Sequence, residues 1–165
     1  MLDPTGLGDH VDRLYRAAWA MCGSREDAED LVQETYARVL AKPRLLHNDD
    51  DLGYLLRVLR NTFISRYRAE RRRPATVPMP DQFEAIDRRL GGRPDASAQA
   101  REVFAHIALL PDAFRDALVA VDIVGLSYAE AARALGTKEA TITSRLYRAR
   151  AQVASGMEPP QESVL

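Results

Sequence analysis

One cysteine and three histidines are all that this 165-residue chain offers for thiol or imidazole chemistry. Cys22 alone cannot form an internal disulfide, and His10, His47 and His106 lie too far apart in sequence to make a local metal-ligand motif. Lysine is nearly missing too. Only Lys42 and Lys138 stand among the 23 basic residues, and the rest are arginine, whose planar fork suits phosphate and guanine. Long apolar runs are absent, the stretch through Ala17 to Ala20 falling far short of the roughly 18 residues of a membrane span. The start Met-Leu-Asp-Pro-Thr-Gly lacks a basic region followed by an apolar one, so the expectation is a cytoplasmic protein with no direct membrane insertion. Net charge is also nearly missing: 23 basic against 24 acidic side chains leave −1, which excludes a histone-like tail or a strongly basic nucleic-acid coat. What is present is ordinary globular usage, 46% hydrophobic, enough for a packed core.

The near-zero charge is a cancellation. Residues 1–51 carry a net −5 and residues 52–73 a net +6; the stretch 74–137 is mildly acidic, residues 138–152 return to +3, and the last 13 residues give −2. Two short basic stretches therefore stand in an acidic chain. They are either solvated helix faces or two separate polyanion contacts, and geometry decides between them.

Every strong periodic signal is helical, so the chain reads as all-α. Asp9 is placed to cap a first helix with Val11, Leu14, Tyr15, Ala18 and Trp19 on one stripe, closed by Gly23. Ser24 with Asp27 resembles a capping box opening a second helix that ends near Pro43. A third runs from about Leu52 to Arg73, with Leu52, Leu56, Leu59, Phe63 and Tyr67 inward and Tyr54, Val58, Asn61, Ser65, Arg68 and Arg72 outward. Pro74, Pro78, Pro80, Gly91, Gly92 and Pro94 mark a linker over 74–97. Val103, Phe104, Ile107 and Leu110 mark a fourth helix, and Pro111 starts a fifth that reaches Gly125. Ser127 with Glu130 caps a short helix to Leu135, Gly136 turns the chain, and Thr137 caps a final helix to about Ala154, followed by a frayed tail over 155–165.

A short helix, a glycine turn and a second helix carrying basic groups make a helix-turn-helix, the device that reads a DNA major groove. At about 100° per residue, Ile142, Leu146, Ala149 and Val153 form the buried stripe of the last helix. Ser144, Tyr147, Arg148 and Ala151 point the other way, with Lys138, Thr141 and Thr143 near the helix start. Such a motif can also be purely structural, or belong to a stand-alone repressor or activator that dimerises on a palindrome.

The stretch 125–151, GLSYAEAARALGTKEATITSRLYRARA, closely resembles the fourth conserved region of bacterial RNA polymerase sigma factors of the extracytoplasmic-function group. Residues 27–40, DAEDLVQETYARVL, resemble the second conserved region of that family, and 54–73, YLLRVLRNTFISRYRAERRR, resemble its promoter-reading helix. The resemblance implies two small helical domains: a three-to-four-helix region 2-like domain over 1–73 and a region 4-like helix-turn-helix domain over 98–154. The linker 74–97 joins them flexibly.

From the same resemblance come the site assignments. Lys138, Thr141, Thr143, Ser144, Tyr147 and Arg148 would face the minus-thirty-five duplex. Asn61, Ser65, Arg68 and Arg72, with His47 and Asn48 of the loop before the third helix, would face the minus-ten element. Asp30, Gln33 and Glu34 on the acidic second helix would dock on the clamp helices of the polymerase largest subunit. Core RNA polymerase, including its flap, promoter DNA and an anti-sigma factor are the implied partners. Ser65 stands where the family pattern often has Asp, and Thr143 where many members carry a basic residue.

Carboxylates on the second helix (Glu26, Asp30, Glu34) could suggest acid/base or metal chemistry. No histidine at i+4, nucleophile or phosphate-gripping glycine loop accompanies them. The expectation is a non-enzymatic protein with no cofactor, no metal site and no small-molecule substrate.

Overall fold

The computed structural model describes residues 8–42, 51–72 and 94–157, all of whose regular elements are helical. A 3₁₀ turn at Gly8–His10 leads into α1 (Val11–Cys22), then α2 (Arg25–Ala41), α3 (Asp51–Arg72), α4 (Pro94–Ala108), α5 (Asp112–Leu118), α6 (Tyr128–Leu135) and α7 (Glu139–Met157). The linker residues 74–93 and the tail beyond Met157 lie outside the described residues, as do His47 and Asn48.

Caps and glycines delimit several elements as the sequence suggests. Gly23 ends α1 in the left-handed region at φ 76°, donating its N–H to the Trp19 carbonyl. Ser24 Oγ accepts from the Asp27 N–H at 3.3 Å and opens α2. At α6 both capping-box bonds form: Glu130 N donates to Ser127 Oγ at 3.1 Å, and Ser127 N donates to Glu130 Oε2 at 2.8 Å. Gly136 leaves α6 at φ 65°.

Other boundaries differ for identifiable reasons. His10, not Asp9, is the residue that precedes α1, because the chain enters through the 3₁₀ turn, and no side chain caps that end. Thr137 does not cap the last helix. Its N–H donates to the Ala132 carbonyl at 2.9 Å while Gly136 N donates to Arg133, a Schellman closure of α6, and the carbonyl that opens the last helix is that of Lys138, which accepts from Ile142 N at 3.1 Å, so α7 begins at Glu139. The fourth helix starts at Pro94, inside the expected linker, since proline is tolerated in a first helical turn. Pro111 flanks α5 rather than starting it, and α5 widens at Val119–Ile123 into a π turn, where Val124 N reaches the carbonyl five residues back at 2.9 Å.

The core runs through both ends of the chain. Leu14, Leu31, Leu55, Leu56 and Leu59 are fully buried between α1, α2 and α3; Ile107, Val119, Ile142 and Leu146 are buried among α4, α5 and α7. Each such side chain contributes about 1.5–3 kcal/mol. Two fully buried hydroxyls are satisfied within their own helices, Thr35 by the Leu31 carbonyl and Thr62 by the Val58 carbonyl. Cys22 sits among these elements, and burial pushes its thiol up to about 12, which keeps it protonated and inert at neutral pH.

The third helix departs most from its expected faces. Leu55 is fully buried although it was not on the expected inward stripe, Tyr54 and Val58 are half-buried against the core rather than outward, and Tyr67 is exposed, stacked on Phe63 at 6.3 Å. The reason is tertiary. α3 packs on α1 and α2 with one side and on α6 with another, so it has two covered faces where periodicity predicts one.

Two substitutions test the caps. Ser127→Ala removes half of a complete capping box and should cost about 1 kcal/mol in urea unfolding. Gly136→Ala meets no neighbouring atom within 4 Å, so its only penalty is left-handed backbone, about 1–2 kcal/mol.

Candidate nucleic-acid interface

The α6–turn–α7 unit is built from its buried side outward. Ile142, Leu146 and Ala149 are buried and Val153 is half-buried, which fixes the rotation of α7 about its axis. The opposite face is then determined: Thr143, Ser144, Tyr147 and Arg148 are exposed, Lys138 is exposed just before the helix, and Thr141 is half-buried. Tyr147 is 77% exposed, so its ring and phenol lie open on that face. Thr143 Oγ1 donates to the Glu139 carbonyl at 3.1 Å, leaving its lone pairs outward.

α7 is also held from the side. Arg150 Nε and Nη2 donate to the two carboxylate oxygens of Asp122 at 2.9 and 2.7 Å. Asp122 lies in the π turn, and this paired hydrogen bond is the main reason the Arg150 guanidinium is held still more firmly charged, with Tyr128 adding to it. Arg150 therefore has an acidic protein partner rather than a free reach to phosphate.

On α3, Asn61, Ser65 and Arg68 are exposed along one edge, and Ser65 Oγ donates to the Asn61 carbonyl at 2.9 Å. Arg72 closes the helix, its side chain outside the described residues. The edge offers an amide, a hydroxyl and a guanidinium, a set able to contact unstacked bases and backbone phosphates.

On α2, Asp30 and Gln33 are exposed, but Glu34 is half-buried and engaged. Its carboxylate takes hydrogen bonds from Arg66 of α3 and from Arg38 at 2.9 Å. Glu34 thus pins α3 to α2, leaving Asp30 and Gln33 as the more open part of that face. Among the described residues no three His, Cys, Asp or Glu side chains are grouped to hold a metal ion, and no helix is long and apolar enough to cross a membrane.

Sequence reasoning missed the residues that join the two ends of the chain. Arg57 donates from Nε to the Ala134 carbonyl at 3.2 Å and from Nη2 to the Arg133 carbonyl at 2.8 Å, at the C-terminal end of α6. Arg60 Nε donates to Asp116 Oδ2 of α5 at 2.7 Å, and Asp116 is buried. The Arg115 guanidinium lies 5.1 Å from the centre of the Phe63 ring, and Trp19 meets Phe104 at 4.4 Å. The available signal was Arg115-Asp116, a charged pair inside the otherwise apolar run Phe114 to Ala120.

With this geometry in place, comparison with known proteins is informative. The chain matches the family model described as Sigma-70 region 2 over residues 7–73 and that described as Sigma-70, region 4 over residues 100–153. It is 37% identical to the ECF RNA polymerase sigma factor SigE of Mycolicibacterium smegmatis, over 87% of this chain and 57% of that protein, so the match spans little more than half of that relative. It is 34% identical to the ECF RNA polymerase sigma factor EcfG of Rhodopseudomonas palustris, over 88% of this chain and 79% of the other. Among solved structures it is similar to the sigma factor RpoE from Bartonella quintana in complex with the anti-sigma factor NepR. The TM-score there is 0.69 at 25% identity, covering 93% of this chain and 94% of that one.

Neighbouring residues on opposite faces of α7 should separate cleanly. Tyr147→Ala should leave stability within about 0.5 kcal/mol of the native chain, whereas Leu146→Ala, at a fully buried site, should cost about 2–5 kcal/mol in urea unfolding.

Proposed function

The chain belongs to the extracytoplasmic-function sigma factors of bacterial RNA polymerase, and from that membership we propose how its residues direct promoter-specific initiation. It binds core RNA polymerase and acts where that enzyme acts, in the cytoplasm. It catalyses no reaction itself. Residues 1–73 form the domain that docks on the largest-subunit clamp helices, through Asp30 and Gln33 with Glu34 bracing the face. The same domain engages the minus-ten element through Asn61, Ser65, Arg68 and Arg72, and the family resemblance assigns His47 and Asn48 to the same task. Capture of melted bases there offsets unstacking, which costs on the order of a few kcal/mol per base.

Residues 98–154 read the minus-thirty-five element as duplex and dock near the flap. α7 presents Thr143, Ser144, Tyr147 and Arg148 to base edges and phosphates, with Lys138 and Thr141 at its approach. The residues between α3 and the start of α4 at Pro94 join the two as a linker. An anti-sigma factor is a further partner on this reading, as NepR is for the similar RpoE.

The observation that carries the proposal is the exposed polar face of α7, with Tyr147 outward and Ile142, Leu146 and Ala149 fixing its direction. The acidic N-terminal segment beside the basic α3 supports it, because negative charge on a docking face keeps that face off phosphate.

Run-off transcription with core polymerase and a randomised promoter pool is the test. Promoter-selective transcripts that require both components are expected. Tight, selective binding to promoter duplex by the isolated chain, with no association with core, would replace the proposal with a self-contained regulator. Within that assay Arg148→Ala should lower promoter-directed transcription about fivefold to 150-fold, as loss of about 1–3 kcal/mol of contact implies, with core binding unchanged. Asn61→Ala should alter preference at a single minus-ten base. An unchanged base profile would remove Asn61 from the pocket.

A further inference from the structure

One ion pair beside the helix-turn-helix has no role in the account so far. Asp122, in the π turn at Val119–Ile123, takes hydrogen bonds from Arg150 Nε and Nη2 at 2.9 and 2.7 Å. Two parallel bonds between a guanidinium and a carboxylate fix direction as well as distance. Tyr128, the first residue of α6, acts on the same guanidinium. Arg150 therefore links α7 to the π turn and to the start of α6, while the Gly136 turn joins the two helices at the other end of α6. Both partners are partly open to water, at 51% and 32% of their side-chain surface, and a pair so exposed adds little to the stability of the fold. What it adds is direction.

The pair stands on the rim of the exposed face of α7. At about 100° per residue, Arg150 lies about 20° around the helix from Thr143 and about 60° from Tyr147, with Arg148 on the far rim, about 160° away. The buried side of α7 is held by Ile142 and Leu146 but thins toward its C-terminal half, where Ala149 is buried and Val153 only half-buried. Apolar packing is non-directional, so small side chains there set the depth of the helix better than its rotation. Hydrogen bonds to base edges tolerate errors of only about 0.5 Å and 10–20°. A directional clamp within one turn of Tyr147 and Arg148 supplies the missing constraint.

The same carboxylate decides which cations meet phosphate. Without Asp122, Arg150 would stand as a free guanidinium on that rim, on the side where phosphates flank a groove. A phosphate contact there would strengthen binding to every sequence alike.

We propose that Asp122 is a positioning residue for duplex reading by α7: through Arg150 it sets the rotation of the exposed face from Thr143 to Arg148, and it keeps that guanidinium from phosphate. This role rests on the promoter reading above, because selectivity at the minus-thirty-five element is what it raises. Selectivity rises while affinity falls.

The test uses the full chain on core polymerase. The minus-thirty-five base profile is read from a randomised promoter pool, and the salt dependence of holoenzyme binding is read on the best promoter from that pool. Asp122→Ala should flatten the profile by about fivefold or more, as loss of one well-placed base contact does. It should also steepen the plot of log K against log salt by about one, the mark of an added phosphate contact. Asp122→Glu, which keeps a carboxylate within reach of Arg150, should restore both. Arg150→Ala should flatten the profile without steepening the slope, since no guanidinium is then released.

A native profile in Asp122→Ala overturns the positioning role, and a native slope overturns the withheld phosphate contact. A flatter profile that Asp122→Glu leaves flat, with the midpoint of urea unfolding lowered in both variants, assigns Asp122 to folding and overturns the role as well. If the native holoenzyme itself shows no minus-thirty-five preference, the promoter reading fails and this role fails with it. A native preference that survives Asp122→Ala sinks the role alone.

Discussion

α3 has to satisfy two neighbours at once, and most of the molecule is arranged around that constraint. Leu55, Leu56 and Leu59 bury it against α1 and α2. Arg57 and Arg60 tie its other side to α6 and α5. Arg66 anchors it once more to Glu34 of α2. A helix covered on two sides has little surface left over, and what remains is the edge carrying Asn61, Ser65 and Arg68. The position of the edge proposed to meet the minus-ten element is thus a remainder after packing, set as much by the C-terminal half as by α3 itself.

The same logic orders the charge. The basic groups of residues 52–73 are not one undifferentiated patch: Arg57, Arg60 and Arg66 are spent on carbonyls and carboxylates within the chain, while Arg68 points outward. On α7, Arg150 is spent on Asp122 and Arg148 is exposed. Internal pairing therefore lowers the positive charge available to phosphate well below what the segment totals suggest. On the proposed function, weak DNA affinity of the free chain follows, with promoter binding strengthened on the polymerase, where a second large contact supplies the missing free energy.

How much of this was legible in the sequence depended on how far away the deciding atoms lay. The capping box at Ser127 and Glu130, the glycine exits at Gly23 and Gly136, and the buried stripe of α7 are set within a few residues of themselves, and they were readable. Tyr54 and Val58 were assigned outward by periodicity alone, whereas the structure packs both, half-buried, against the core, and α3 also meets α6, whose residues lie more than fifty positions away. Glu34 read as a free docking carboxylate because Arg66 lies thirty-two positions on. The π turn that brings Asp122 under Arg150 has no local composition signature, and Thr137 read as a cap although the carbonyl that opens α7 is that of Lys138.

The central claim is that one chain contacts two separated promoter elements, and only as part of the polymerase. The most direct measurement places a photo-cross-linkable side chain at Tyr147 or at Asn61 and maps the cross-linked nucleotides on one promoter, with and without core polymerase. The account predicts cross-links from Tyr147 on upstream duplex and from Asn61 on melted strand about 25 base pairs downstream, both strong only when core is present. Cross-links of equal strength without core, or two sites falling on the same short segment, would contradict it.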